Sequence, residues 1–163
     1  MTFKGHLKRK EETMKKLAIA SLIALAATAA SALEMGVTTT RDYSGAENRN
    51  GSGVTIGEQF GMVSLTAGYE RFTKGANDQD RYSLVAGYGA AKVGPVTLSP
   101  KVGVAYLNNQ AGADGYAMTV GVGATLPVTK QVSLGVDVAR QYGQDRVQAF
   151  DGNRVTAGLR YKF

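Results

Sequence analysis

The sequence predicts an all-β protein, an eight-stranded antiparallel up-and-down barrel that crosses a membrane. Three observations carry that expectation. From Leu33 onward, apolar residues recur with period two and not with the 3.6 of a helix. The connections between the alternating stretches are short and long by turns. Large apolar residues keep to one parity of each stretch, whereas Gly, Ser and Thr keep to the other. Successive strand side chains point to opposite faces, so each strand carries one apolar face and one small or polar face.

The chain begins with something else. Lys15 and Lys16 precede an uncharged 14-residue run from Leu17 to Ala30, and Ala30-Ser31-Ala32 closes it. A basic start, a short apolar run and a small-residue site make a cleaved secretory signal peptide. The run is too short to span a bilayer comfortably and has no polar face of the kind a surface helix needs. Residues 1–13 fit no part of a signal, so the true start is expected at Met14. The expected organisation is a leader and extension over 1–32 and a barrel domain over 33–163, with no further domain after Phe163.

The leader also decides the charge argument. The whole chain has a formal charge of +6, but residues 33–163 hold 13 basic and 11 acidic side chains. That balance removes nucleic acid as an expected partner. The single histidine, His6, lies in the leader, and the chain has no Cys and no Trp. Disulfides, Cys-ligated zinc and thiol catalysis are therefore excluded, and no cofactor is expected.

Strands are expected at about 33–41, 52–60, 63–72, 81–91, 96–106, 115–126, 132–142 and 153–163. In 96–106 one parity reads Val96, Leu98, Pro100, Val102, Val104 and Tyr106, and the other reads Thr97, Ser99, Lys101, Gly103 and Ala105. Short turns fall at Gly61-Met62, Lys92–Pro95 and Pro127–Gln131. Longer polar loops fall at Asp42–Gly51, Thr73–Asp80, Leu107–Asp114 and Gly143–Gly152. An even number of strands with this alternation of connections is the arrangement of a membrane barrel, and a strand of roughly ten residues tilted near 40° spans roughly 25 Å.

The glycines indicate which face is which. Eight strands enclose space for little more than their own side chains, so the small and polar parity must face inward and the large apolar parity outward, toward lipid. Tyr43, Tyr69, Tyr82, Tyr106, Tyr116 and Tyr142 gather at the loop-side ends, and Phe60, Tyr88, Tyr161 and Phe163 at the turn side. Two aromatic girdles fit two interfaces. Glu58 also falls on the lipid parity, which implies a bulge or a slip of register there.

The last strand, Val155-Thr156-Ala157-Gly158-Leu159-Arg160-Tyr161-Lys162-Phe163, alternates apolar residues and ends on Phe. In this, and across 33–163, the chain resembles the small eight-stranded outer-membrane barrels of Gram-negative bacteria, the OmpA-like, OmpX-like and opacity-type family. The resemblance implies an outer-membrane location, a monomer, and an assembly signal at Tyr161 and Phe163 read by the barrel assembly machinery.

Catalysis is not expected. Enzymes among outer-membrane barrels rely on His with Ser or a carboxylate, and residues 33–163 supply no His base. Gly87-Tyr88-Gly89 and Gly121-Val122-Gly123 lie inside alternating strands, without the helix start that a phosphate loop requires. Charges on the inward parity are more informative: Glu70, Arg81, Lys101, Asp137, Arg154, Arg160 and Lys162. Buried charges are tolerable only when paired. The expected interior network therefore comprises Glu70, Arg81, Lys101, Asp137 and Arg160, with Glu70 on Arg81 and Asp137 on Lys101 and Arg160. Arg41, Arg71 and Arg140 lie on the lipid parity near the loop side, where guanidinium groups meet lipopolysaccharide phosphates bidentately. The expected function is a non-enzymatic outer-membrane barrel with a structural or surface-interaction role. The alternatives are a small-solute or ion pore and, less favoured by the outward apolar parity, a lipocalin-like periplasmic binder.

Overall fold

The structure, a computed structural model, describes residues 33–44, 47–73, 78–109, 114–144 and 151–163. The expected leader lies outside the described residues, as do parts of the four longer expected loops. Nine strands are present among those described: β1 (Leu33–Ser44), β2 (Glu47–Phe60), β3 (Val63–Phe72), β4 (Gln79–Tyr88), β5 (Ala91–Val93), β6 (Val96–Asn109), β7 (Gly115–Pro127), β8 (Val132–Gly143) and β9 (Gly152–Lys162). Every pairing is antiparallel, and each strand except β4 lies beside the next in sequence. Two further pairings, β1 with β9 and β4 with β6, close the sheet. β4 and β5 are two pieces of one stave, interrupted at Gly89-Ala90, so the barrel has eight staves. The break keeps its hydrogen bonds, because Gly89 N–H donates to Met62 O (2.7 Å) and Ala90 N–H to Leu98 O (3.0 Å).

Several expected boundaries are corrected. The stretch 42–51, expected as a long loop, is mostly strand: Ser44 pairs with Glu47, leaving residues 45 and 46 between them. β6 runs on to Asn109, and the expected strand 81–91 is the interrupted pair β4 and β5. The cause is common to the first two. Beyond the apolar wall the ladder continues with Thr, Arg, Asp and Asn, which carry no apolar alternation to read. Glu58 needs neither bulge nor slip: it pairs with Leu33 and Leu65 in an unbroken register, close to the β2–β3 turn. There an outward carboxylate stands at the interface, where charge is cheap.

The turn-side connections have simple chemistry. Gly61 and Gly94 take φ of +62° and +60°, each as the first residue of a two-residue turn, a position where the hairpin geometry requires positive φ and favours glycine. The β7–β8 turn is held by Thr129, whose hydroxyl accepts from the N–H groups of Gln131 (3.1 Å) and Val132 (2.9 Å).

The distribution of apolar side chains is inverted relative to a soluble barrel. Met35, Val37, Val54, Leu84, Val102, Val104, Val120, Val122, Val136, Val138 and Leu159 all stand exposed on the outer wall. The buried apolar residues among those described are Phe72, Ala105, Leu107 and Ala117. A continuous apolar wall of this extent far exceeds the patch of a few hundred Å² that water-soluble monomers tolerate. The interior is correspondingly polar, with one correction: at the loop end Phe72 and Leu107 point inward and are fully buried, so small and polar residues do not fill the whole lumen.

Candidate functional site

The candidate site is the lumen, organised in two layers. The loop-side layer centres on Glu70 of β3 and Arg154 of β9. Glu70 Oε2 lies 3.1 Å from Arg81 Nη1 and 2.8 Å from Arg154 Nη2. Its other oxygen accepts from the Thr40 hydroxyl. Because Thr40 spends its single proton there, the 2.8 Å contact between the Thr40 and Thr156 hydroxyls must be donated by Thr156. Arg154 also places Nε 3.0 Å from Asp42 Oδ1 and donates Nη1–H to Gln141 Oε1 at 3.2 Å. Its guanidinium sits 5.5 Å from the centre of the Phe72 ring. Arg81 completes the layer by donating Nη2–H to the Thr119 hydroxyl at 3.0 Å. Two guanidinium groups thus face two carboxylates, and the layer reaches across β1, β3, β4, β7, β8 and β9.

The turn-side layer is smaller. Lys101 of β6 donates to Asp137 Oδ1 of β8, and Arg160 Nη2 of β9 lies 3.5 Å from Asp137 Oδ2. β7 runs between β6 and β8, and the residue it places under the pair is Gly123, in register with Asp137. A Cβ there would meet Asp137 Oδ1, and would lie 2.7 Å from Lys101 Nζ. The ion pair therefore crosses the strand only because that residue has no side chain. Farther toward the turns, Glu34 and Lys162 face one another in register on β1 and β9.

The layers differ in dryness. The side chains of Arg154, Arg81 and Glu70 are 4, 5 and 8% exposed, against 16, 19 and 24% for Lys101, Arg160 and Asp137. Between them lies a cavity of about 110 Å³, bounded by both layers and by hydroxyls of Thr38, Thr55, Thr66 and Ser83.

Sequence reasoning places the other charged members and the Thr119 hydroxyl on the inner face but does not find Asp42, Thr40, Gln141 and Phe72. Asp42 falls in a stretch whose polarity reads as loop, and extending the inward parity Gly36, Thr38, Thr40 by one more step reaches it. Arg154 reads as inward, but nothing local reveals that its partners are Asp42 and Glu70.

The outward arginines separate into two kinds. Arg41 and Arg140 each stack on the tyrosine two residues along their own strand, 5.4 Å from Tyr43 and 5.5 Å from Tyr142. They flank β9, in register with Val155 and Asn153 respectively. Arg71 stands apart on β3, 2.8 Å from Asp78, beside the pair formed by the Tyr69 hydroxyl and Asp80 (2.8 Å). At the end of the chain, Phe163 packs edge-on against Tyr161 with 5.0 Å between ring centres, and its N–H donates to Leu33 O at 3.0 Å.

No protein-family model and no curated protein sequence matches the chain. Solved structures do. The chain is similar to Neisserial surface protein A, NspA (TM-score 0.59, 18% identity, covering 81% of this chain and 96% of that one). It is similar also to a major outer membrane protein of Thermus thermophilus (TM-score 0.58, 13% identity, covering 83% and 100%). A third is Ail, the attachment invasion locus protein of Yersinia pestis (TM-score 0.52, 14% identity, covering 82% and 97%). The chain has the fold of the small outer-membrane β-barrels, over essentially the full length of those proteins.

Proposed function

We propose that the protein is an integral outer-membrane barrel with a closed lumen, acting as a non-enzymatic structural or surface-interaction element of a Gram-negative envelope. The observation that carries this reading is an apolar outer wall wrapped around a dry ionic layer. The wall is stable only in lipid, and a paired layer of buried charge leaves no aqueous path at the loop end. The named surface and outer-membrane proteins of the same fold support the location. The test is membrane extraction followed by planar-bilayer recording. The protein should resist carbonate extraction and show heat-modifiable migration, and it should produce no step conductance. Recovery in a soluble fraction would overturn the location, and steady conductance would overturn the closed lumen.

The second reading is an ion path, favoured by the solvent exposure of the turn-side layer. It requires a conductance that changes with Lys101→Glu. The remaining parts of the proposal concern the surface. Arg41 and Arg140, held by their tyrosines, present guanidinium donors on either side of β9 to lipopolysaccharide phosphate. Arg71 is a weaker member of that set because Asp78 already occupies it. The terminal residues Tyr161 and Phe163 serve the barrel assembly machinery, so deleting Phe163 should lower the heat-modifiable fraction in the outer membrane. Export by the leader predicts an N-terminus at Leu33 in membrane-extracted protein, and retention of residues 1–32 would refute it.

A further inference from the structure

The geometry points to a binding site for a small monovalent anion in the cavity between the two charged layers. The charge count is the first reason. In the loop-side layer Arg81 and Arg154 face Glu70 and Asp42, with Arg49 near enough to act on Asp42 as well. The turn-side layer sets two cations, Lys101 and Arg160, on the single carboxylate of Asp137, while Glu34 has Lys162 opposite it. Cations therefore outnumber carboxylates inside an apolar wall, where an uncompensated ion is costly.

Unused donors are the second reason. Arg81 is nearly fully buried, yet its Nε has no hydrogen-bond partner among the described residues. The Thr38 hydroxyl, equally shut from solvent, has none either. Both residues bound the cavity. An orphaned buried donor in a native interior calls for an explanation, and an anion accepts from each of them while offsetting the surplus charge. The Arg160 guanidinium contributes as well. It lies against Gly135, where a Cβ would stand 3.2 Å from Nη2, and its ion-pair contact with Asp137, at 3.5 Å, is too long for a strong hydrogen bond.

The volume sets the class of ligand. About 110 Å³ holds a halide with several waters, since one water needs only about 10–15 Å³. Access is from the turn side, because the charges there are the more exposed ones and the loop-side layer is dry.

The test uses the protein purified from membranes into detergent. Crystals soaked in bromide should show an anomalous peak within hydrogen-bond reach of Arg81, Arg160 or Thr38. At fixed ionic strength, chloride should raise the thermal midpoint relative to gluconate. Arg160→Gln should abolish that difference and weaken bromide binding by about tenfold or more, the usual consequence of losing a charged hydrogen bond. If Arg160→Gln does not fold, Thr38→Val decides, and it should reduce the chloride effect by itself. Equal midpoints with no bromide peak overturn the site, and so does a bromide response unchanged in both variants. Bilayer conductance is a separate measurement, so the failure of this site and the failure of the closed lumen are distinguishable.

Discussion

The two ends of the lumen solve the same problem in different ways. At the loop end, charge is buried by surrounding it. Arg154 is met by two carboxylates, an amide oxygen and an aromatic ring, and Phe72 and Leu107 keep water away. At the turn end, charge is buried by removing what is in its way, since Gly123 lets Lys101 reach Asp137 over an intervening strand. The first device gives a dry network with many members and the second a short chain open to solvent. The difference teaches that inward charge in a narrow barrel need not mean a conduit. Its consequence depends on how completely the neighbours fill the space around it.

That contrast has measurable consequences in urea unfolding from lipid vesicles. The largest effect belongs to Arg154→Leu, which takes from Asp42 its ion-pair partner and from Glu70 one of its two cations. It should destabilise by about 3–5 kcal/mol, as removal of one member of a buried ion network does, whereas Arg160→Leu at the wetter end should cost about a third of that. Equal losses would erase the distinction between the layers. Next comes Gly123→Ala, expected to cost about 1–3 kcal/mol by overpacking and to abolish the Lys101–Asp137 contact. The matching change at the other end, Gly51→Ala, puts a methyl group 2.6 Å from the Phe72 ring and should loosen the dry cap instead.

A double-mutant cycle with Lys101→Met and Asp137→Leu comes third. Its coupling energy should be about 1 kcal/mol, within the range for contacting residues and reduced by solvent. Strict additivity would mean that these two charges do not interact. The smallest effect is Arg71→Ala on the outside, where an exposed ion pair with Asp78 contributes little. Its unfolding midpoint should match that of the unaltered protein, and a clear loss would mean that outer charge also supports the wall.

The barrel is legible in the sequence where chemistry repeats locally. Val102 and Val104 against Lys101 and Gly103 declare a strand and its two faces without any knowledge of neighbours. The strand ends are not legible. In Arg41-Asp42-Tyr43-Ser44 both parities contain polar residues, so the ladder continues with nothing to mark it. The site is legible to the extent that parity reveals which charges face inward. Partnership depends on register around the whole ring, and a one-residue slip reverses the faces. Glu70 and Arg81 lie on adjacent strands of one hairpin, in register across it, and can be matched from sequence. Asp42 and Arg154 meet only across the closing seam. Phe72 is hidden for another reason: a large aromatic on the polar parity is an exception, and only the filled space around Arg154 explains it.

The position of Arg154 bears on the order of events when the chain becomes a barrel. It belongs to the final strand, and its partner carboxylates Asp42 and Glu70 belong to the first and third, with Arg154 and Glu70 lying 84 positions apart in the chain. An open sheet of β1 to β8 would leave Glu70 with Arg81 alone and Asp42 without its contact to Arg154. Such distant contacts return nothing until the intervening chain has been ordered. The last strand therefore acts as a latch, and the contacts of Arg154 are gained in one step when β9 seats against β1. A half-built barrel holds no such reserve, which favours completion over lingering at the membrane edge.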